Sequence, residues 1–223
     1  MTSPHHSVYS MHNPGGEAGK LRRRIMTRIM YDRLLQHIAA RVRLTVRESE
    51  ECTGYFLHRS VRKRQYLLQE GDVCRQIAFV GDGCLREFTV DHTGTEHTLQ
   101  FAIAGWWISD LNSFLSGRPS AHNIVAVHDS SVLLLDKEGR EKLFAAVPKM
   151  ERYFRLLLEA NHVASHKRIN ETLSASAEER YLSFLKTYPA LIEQVPQHQI
   201  ASFLGITPQS LSRIRRELVH RHP

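Results

Sequence analysis

Residues 198–218, HQIASFLGITPQSLSRIRREL, carry two helical faces with a stop between them. Ile200, Ala201 and Leu204 share one side of a first helix, and Gly205 follows as the residue that ends it. Ile206 is an apolar plug for the turn. Thr207 offers a hydroxyl N-cap and Pro208 a fixed φ at the first helical position, so a second helix starts at once. Leu211, Ile214 and Leu218 form its buried face, while Gln209, Ser212, Arg213 and Arg216 lie on the opposite one. A helix, a tight glycine turn and a second helix with a polar, basic exterior make a helix-turn-helix. Glutamine can bond bidentately to adenine and arginine to O6 and N7 of guanine, which assigns base contacts to Gln209 and Arg213. Ser210, Arg215, Arg216 and the free amides near Thr207 and Pro208 suit phosphates, with Ser212 on the same exposed side. An ordinary helical hairpin with a solvated basic face carries the same local pattern.

Upstream the chain changes character twice. Residues 148–173 start with a first-turn proline and place Met150, Phe154, Leu157, Leu158, Asn161 and Ala164 or Ser165 on one stripe. A stripe of that length suggests a coiled-coil-like dimer seam, although packing against the chain's own core explains part of it equally well. Ser176 with Glu178 and Glu179 then starts a helix that Pro189 ends. Between residues 64 and 136 stand six short strand-like runs, RQYLLQEGD, QIAFVGDG, CLREFTVD, TEHTLQFA, HNIVAV and SVLLLDK. Turn residues such as Gly71, Asp82-Gly83 and Gly94 separate them, which suggests a β-barrel or jelly roll. From Tyr31, Leu34, Leu35, Ile38 and Val42 follow helical spacing. Residues 1–30 read as disordered or as a non-native extension, with Met26 or Met30 as the start.

The net charge of +7 is unevenly placed. Residues 1–65 carry 13 Lys/Arg against 5 Asp/Glu, so the basic balance by itself says little about the helix-turn-helix. No apolar run approaches the roughly 18 residues of a membrane helix. Cys52, Cys74 and Cys84 form no CxxC pair and read as thiols in a reducing cytosol.

The order of parts, together with QYLLQEGDVC, FVGDGCLREF, GWWISDLNSFLSG and VPQHQIASFLGITPQSLSRIRREL, resembles the Crp/Fnr family of transcription regulators over about residues 31–219. The resemblance implies an α+β fold. A double-stranded β-helix or jelly-roll barrel of the cyclic-nucleotide-binding type would occupy 31–147, a dimerisation helix 148–173 and a winged helix-turn-helix 174–223. It also implies a cytoplasmic homodimer on double-stranded DNA, with its recognition helices about 34 Å apart, and RNA polymerase as a further partner. The family's base-reading positions fall on Pro208, Gln209 and Arg213; only the arginine matches the best-known pattern.

Cyclic-nucleotide members of the family hold ribose with the Glu of Gly-Glu-Leu and phosphate with an Arg about ten residues on. Here Ser109-Asp110-Leu111 and Ser120-Ala121 stand at those places, so the phosphate-binding arginine is missing. Sequestering a phosphate without a paired cation is costly, and Arg118 could substitute only through a rearranged loop. The expectation is a regulator independent of cyclic AMP, with a cyclic-nucleotide- or other small-molecule-responsive regulator as the alternative. Trp106 and Trp107, with Phe101 and Phe114, could line an apolar effector pocket in the same region or be plain barrel core. No cofactor and no metal are expected. The enzyme alternative is a cupin-like metal barrel, for which the hairpin supplies His92, Glu96 and His97 but no His-x-His pair.

Overall fold

The strand-like runs form two four-stranded sheets that face each other. The computed structural model describes residues 17–221, with side chains from 25 to 220. Helices α1 (Glu17–Ala39) and α2 (Val46–Thr53) precede β1 (Leu57–Val61), β2 (Tyr66–Leu68), β3 (Gln76–Asp82), β4 (Cys84–Val90), β5 (Glu96–Ile103) and β6 (Trp107–Ile108). After α3 (Leu111–Ser116) come β7 (Asn123–Ala126) and β8 (Ser130–Asp136), and then α4 (Lys137–Ala146) and α5 (Lys149–Ser174). The C-terminal part is α6 (Ala177–Thr187), α7 (Leu191–Gln194), α8 (Gln197–Leu204) and α9 (Pro208–Arg221).

One sheet runs β1-β8-β3-β6 and the other β2-β7-β4-β5, with every pairing antiparallel. Six strands coincide with the runs legible in the sequence; β1 and the two-residue β6 are additional. Leu85, Ile108 and Ile124 are buried in the barrel core, whereas Phe79, which shares a face of its sheet with Leu133 and Leu135, packs against His37 of α1 and Trp107. Gly83 turns β3 into β4 at a positive φ of 89°, and its missing Cβ leaves room for Ser130.

α1 corrects the expectation for the N-terminal region. Residues 17–30 are helical rather than disordered, and Met30 is fully buried with Leu34 and Ile38. Met30 lies where a Cβ on Gly81 would sit, so α1 presses directly on β3, and the Arg33 guanidinium donates to the Gly81 carbonyl. The part of that expectation falling on residues 1–16 lies outside the described residues.

A polar chain ties α1 to α5 and the barrel. Trp107 Nε1 donates to the Tyr153 hydroxyl at 2.8 Å, and that hydroxyl sits 2.6 Å from His37 Nδ1. Arg41 lies 3.2 Å from His37 Nε2, an arrangement suited to a neutral imidazole whose Nδ1 carries the proton. Burial, reinforced by the Arg41 charge, holds the His37 pKa down at about 4. A depressed histidine contributes stability that is complete above its ordinary pKa near 6.5 and is lost as pH falls toward 4. Thermal melts at pH 7 and pH 4.5 are expected to show a larger drop for the native chain than for His37→Gln. Equal drops would mean that His37 does not set the acid limit.

The α5 stripe expected to form a dimer seam divides in two. Met150, Tyr153, Phe154 and Leu157 are buried against the chain's own barrel. Leu158, Ile169 and Leu173 lie roughly a quarter turn around the helix and are exposed, with His162 and Ser165 on the same side. The earlier half of the expected seam is therefore intramolecular core, and the unpartnered apolar stripe is the adjacent one. The C-terminal part is helical throughout its described residues, without the strands of the expected wing. Its α6–α8 connection holds Pro189 and Pro196 and folds into the short α7 instead of a hairpin.

Candidate functional site

Two backbone features lock α8 to α9. Gly205 adopts a left-handed φ of 65°, and the Ile206 amide donates back to the Ala201 carbonyl at 3.0 Å, closing the helix end as a Schellman turn. The Thr207 hydroxyl accepts the Ser210 amide at 3.1 Å and so caps α9. Ile200, Ala201, Leu204, Leu211 and Ile214 are buried together with Tyr181 and Phe184 of α6. This packing leaves Pro208, Gln209, Ser212, Arg213 and Arg216 exposed along one side of α9, with Thr207 at its start; Ser210 and Arg215 are half-buried at the margin. Arg213 reaches Glu217 only at 4.0 Å and is 70% exposed, so its guanidinium is available to a ligand. The expected contact residues thus share one surface. A helix start with open amides beside three arginines can bind phosphate, and the Gln209–Arg213 pair can meet base edges.

The helix-turn-helix is docked on the barrel. The Ser202 hydroxyl accepts the Thr98 amide at 2.9 Å and donates to the Glu96 carbonyl at 2.8 Å, both on β5. Phe203 packs between Phe101 of β5 and Phe184 of α6, with ring centroids 5.5 and 5.8 Å away. Cys84, Phe101 and Val127 of the barrel belong to the same apolar cluster as α6 and α8. Motion of α5 or β5 is therefore felt directly by the segment that carries α9.

In the barrel the nucleotide-cassette positions are occupied by their own hydrogen bonds. Asp110 caps α3 through the Ser113 amide at 3.1 Å, and Ser120 donates its hydroxyl to Asp110 Oδ2 at 2.7 Å. His122 Nδ1 sits 2.7 Å from Glu87 Oε1 and 3.9 Å from Asp110 Oδ2. Both carboxylates are almost wholly buried. The hydrogen bond to Glu87 raises the His122 pKa against the opposing effect of burial. The interior therefore presents two carboxylates and one histidine where a nucleotide phosphate needs a guanidinium, and this repels the anion. Asp110 and Ser120 come together as their spacing suggests. Arg118 and Ala121 are exposed, and Leu111 packs against the core. Glu87 and His122 escaped notice because they lie 35 residues apart and meet only through the sheet.

The aromatic residues divide differently from expectation. Phe114 is core beneath Arg140, whereas Trp106, Trp107 and Phe101 border a cleft of about 320 Å³ among α1, β5, α5 and α8. In the cupin-like alternative the hairpin residues are already engaged: Glu96 pairs with Arg86, and His97 sits 2.6 Å from Asp91. Among the described residues no group of three or more His, Cys, Asp and Glu is placed to hold a metal. The three cysteines are buried and free, and burial pushes the Cys52 and Cys84 thiols up to about 12. No helix of the described residues is long and apolar enough to cross a membrane.

The family model for the cyclic nucleotide-binding domain matches residues 58–146. The fumarate and nitrate reduction regulatory protein of Vibrio cholerae is 23% identical over 167 residues, 69% of this chain and 65% of that protein. The structure of FixK2 from Bradyrhizobium japonicum is 18% identical with a TM-score of 0.66, over 74% of this chain and 85% of that one. The catabolite activator protein of Thermus thermophilus is 22% identical with a TM-score of 0.52, over 80% and 85%. The nucleotide-domain match ends just before the long helix, and over three quarters or so of its length the chain shares its fold with the solved regulators named here.

Proposed function

We propose that the chain is a homodimeric, sequence-specific DNA-binding transcription regulator that acts without cyclic AMP. The observation that carries this is the exposed Gln209–Ser212–Arg213–Arg216 face on a second helix fixed by the Gly205 turn and the Thr207 cap. The curated relative is a regulatory protein by name, which fits a chain whose last described helix presents an exposed basic face. Independence from cyclic AMP is supported by the buried Glu87–His122–Asp110–Ser120 cluster, which fills the cassette positions with acids. RNA polymerase is the natural further partner of such a regulator.

Selection of DNA from a random pool with the purified, ligand-free chain tests this. A two-fold symmetric site should be enriched, and added cyclic AMP should leave the enrichment unchanged. Arg213→Ala is expected to lose roughly 1–3 kcal/mol on that site and to relax preference at one base pair. Equal loss on selected and random DNA would remove Arg213 from base reading. No enrichment at all would overturn the ligand-free regulator.

A further inference from the structure

Two histidines stand on the outward side of α5, where the stripe is otherwise apolar. His162 lies between Leu158 and Ile169 on that stripe, one turn after the first and two turns before the second. His166 follows one turn later at the margin of the stripe. Its ring sits 4.3 Å from the His162 ring, centroid to centroid, at 63°. Both side chains are exposed, and neither forms a hydrogen bond or an ion pair with a described residue. The nearest acids along the helix, Glu159 and Glu171, are taken by Arg155 and Lys167. The pair is therefore held by no carboxylate.

An imidazole in an apolar seam is costly unless its nitrogens find partners. A two-fold dimer through the stripe brings a second His162 to face the first and a second His166 beside it, two pairs around one axis. Two histidines four residues apart on a helix share one side and can bind the same ion. Neutral imidazole suits borderline dications, zinc among them, and four nitrogens complete zinc's tetrahedral shell. One chain supplies only two of the four, in keeping with the lack of a three-ligand group among the described residues. We propose that His162 and His166 are half of a transition-metal site shared between two copies of the chain, which bind one zinc ion across the α5 seam. The site rests on the homodimer reading and adds a control to it, because an ion that needs both copies favours the dimer and any two-fold DNA contact. By linkage, free zinc at about 100 times its dissociation constant tightens the dimer about 100-fold. The site lies on a different element from the Asp110–Ser120 cluster.

Cobalt(II) is the probe, because four nitrogen ligands in a tetrahedron give intense visible bands, whereas a two-histidine site that keeps its waters stays pale. The full chain, freed of metal by chelation, is titrated without DNA, and light scattering reads its mass with and without the ion. The expected result is intense bands that saturate at one cobalt per two chains and are lost when zinc displaces it. The dimer should then survive roughly ten-fold or greater dilution than without metal. The chain has 14 histidines, so His162→Asn and His166→Asn must separate this pair from the rest. Each should abolish both the bands and the metal-dependent gain, and His166→Asn does so from the margin, with the seam itself left unchanged. No intense bands, saturation at one ion per chain, or unchanged bands in either folded variant would each overturn the site. A dimer without bands removes the metal site and leaves the homodimer standing, whereas a monomer at every cobalt concentration removes both. A failed DNA selection beside positive bands leaves the site standing.

Discussion

Ile169→Glu is expected to turn the protein into a folded monomer and to abolish tight binding to a two-fold DNA site. Ile169 is 52% exposed in the single chain and lies on the α5 stripe with Leu158 and Leu173, so its removal leaves the barrel intact. In the proposed dimer the same position would be central to an apolar seam, where two facing glutamates would meet with neither counter-charge nor water. Loss of the seam separates the two readers. The second half-site then stops being bound at high effective concentration, and affinity falls by roughly 10²–10⁴-fold. Light scattering after size-exclusion chromatography reads the mass, and gel shift on the selected site reads the affinity. Val163→Glu is the control, because Val163 is 68% exposed but lies on the far side of α5 from the stripe. It should remain dimeric and bind. A monomer from both variants, or from neither, would place the subunit contact elsewhere.

Gly83→Ala is expected to destabilise the barrel far more than Gly94→Ala, although both glycines have positive φ, 89° and 82°. A Cβ at Gly83 would stand 2.3 Å from Ser130 Oγ, 2.6 Å from the Asp129 carbonyl oxygen and 2.7 Å from Ser130 Cα. Two of these belong to backbone and cannot turn aside. Ser130 also accepts the buried Cys84 amide at 3.1 Å, so pushing it away leaves that donor unpaired. Conformational strain of about 1 kcal/mol, overpacking and a lost buried hydrogen bond together cost about 3–5 kcal/mol. At position 94 a Cβ meets nothing within 4 Å, and only the strain of about 1 kcal/mol applies. Denaturant midpoints for the two variants check the contrast. Equal midpoints would mean that the β3–β4 turn yields where its neighbours are now fixed.

The parts of the molecule most legible in the sequence are those whose signals are local. Gly205, Thr207 and Pro208 mark the turn before α9 within four residues, and glycine-containing turns at Gly71, Gly83, Gly94, Gly105 and Gly117 punctuate the six legible strands up to β7. β1 and β6 were not legible. The exposed Leu57–Ser60 face breaks the alternation, and two residues are too few to show a period. The α5 stripe was visible, but its destination was not. Leu157 and Leu158 are neighbours in sequence, yet one enters the chain's own core and the other faces outward, a choice made by the barrel. The missing phosphate-binding arginine could be seen at Ser120, while the carboxylates that fill its place depend on strands brought together by folding. The cleft bordered by Trp106 was least visible of all, because its walls come from residues 37 to 203.

The single hydroxyl of Ser202 bears on how this protein stays in solution. β5 is the outermost strand of its sheet, and its Thr98 amide and Glu96 carbonyl point away from β4 toward Ser202. Bare strand edges invite pairing with strands of other molecules. α8 therefore acts as a cover over the place where the sheet could otherwise be extended, and Phe203 shields the apolar flank beside it. If the reader is lifted from the barrel, that edge becomes sticky as well as mobile. Undocking thus has a colloidal consequence that grows with protein concentration, and the docked reader guards the chain against sheet-to-sheet polymerisation.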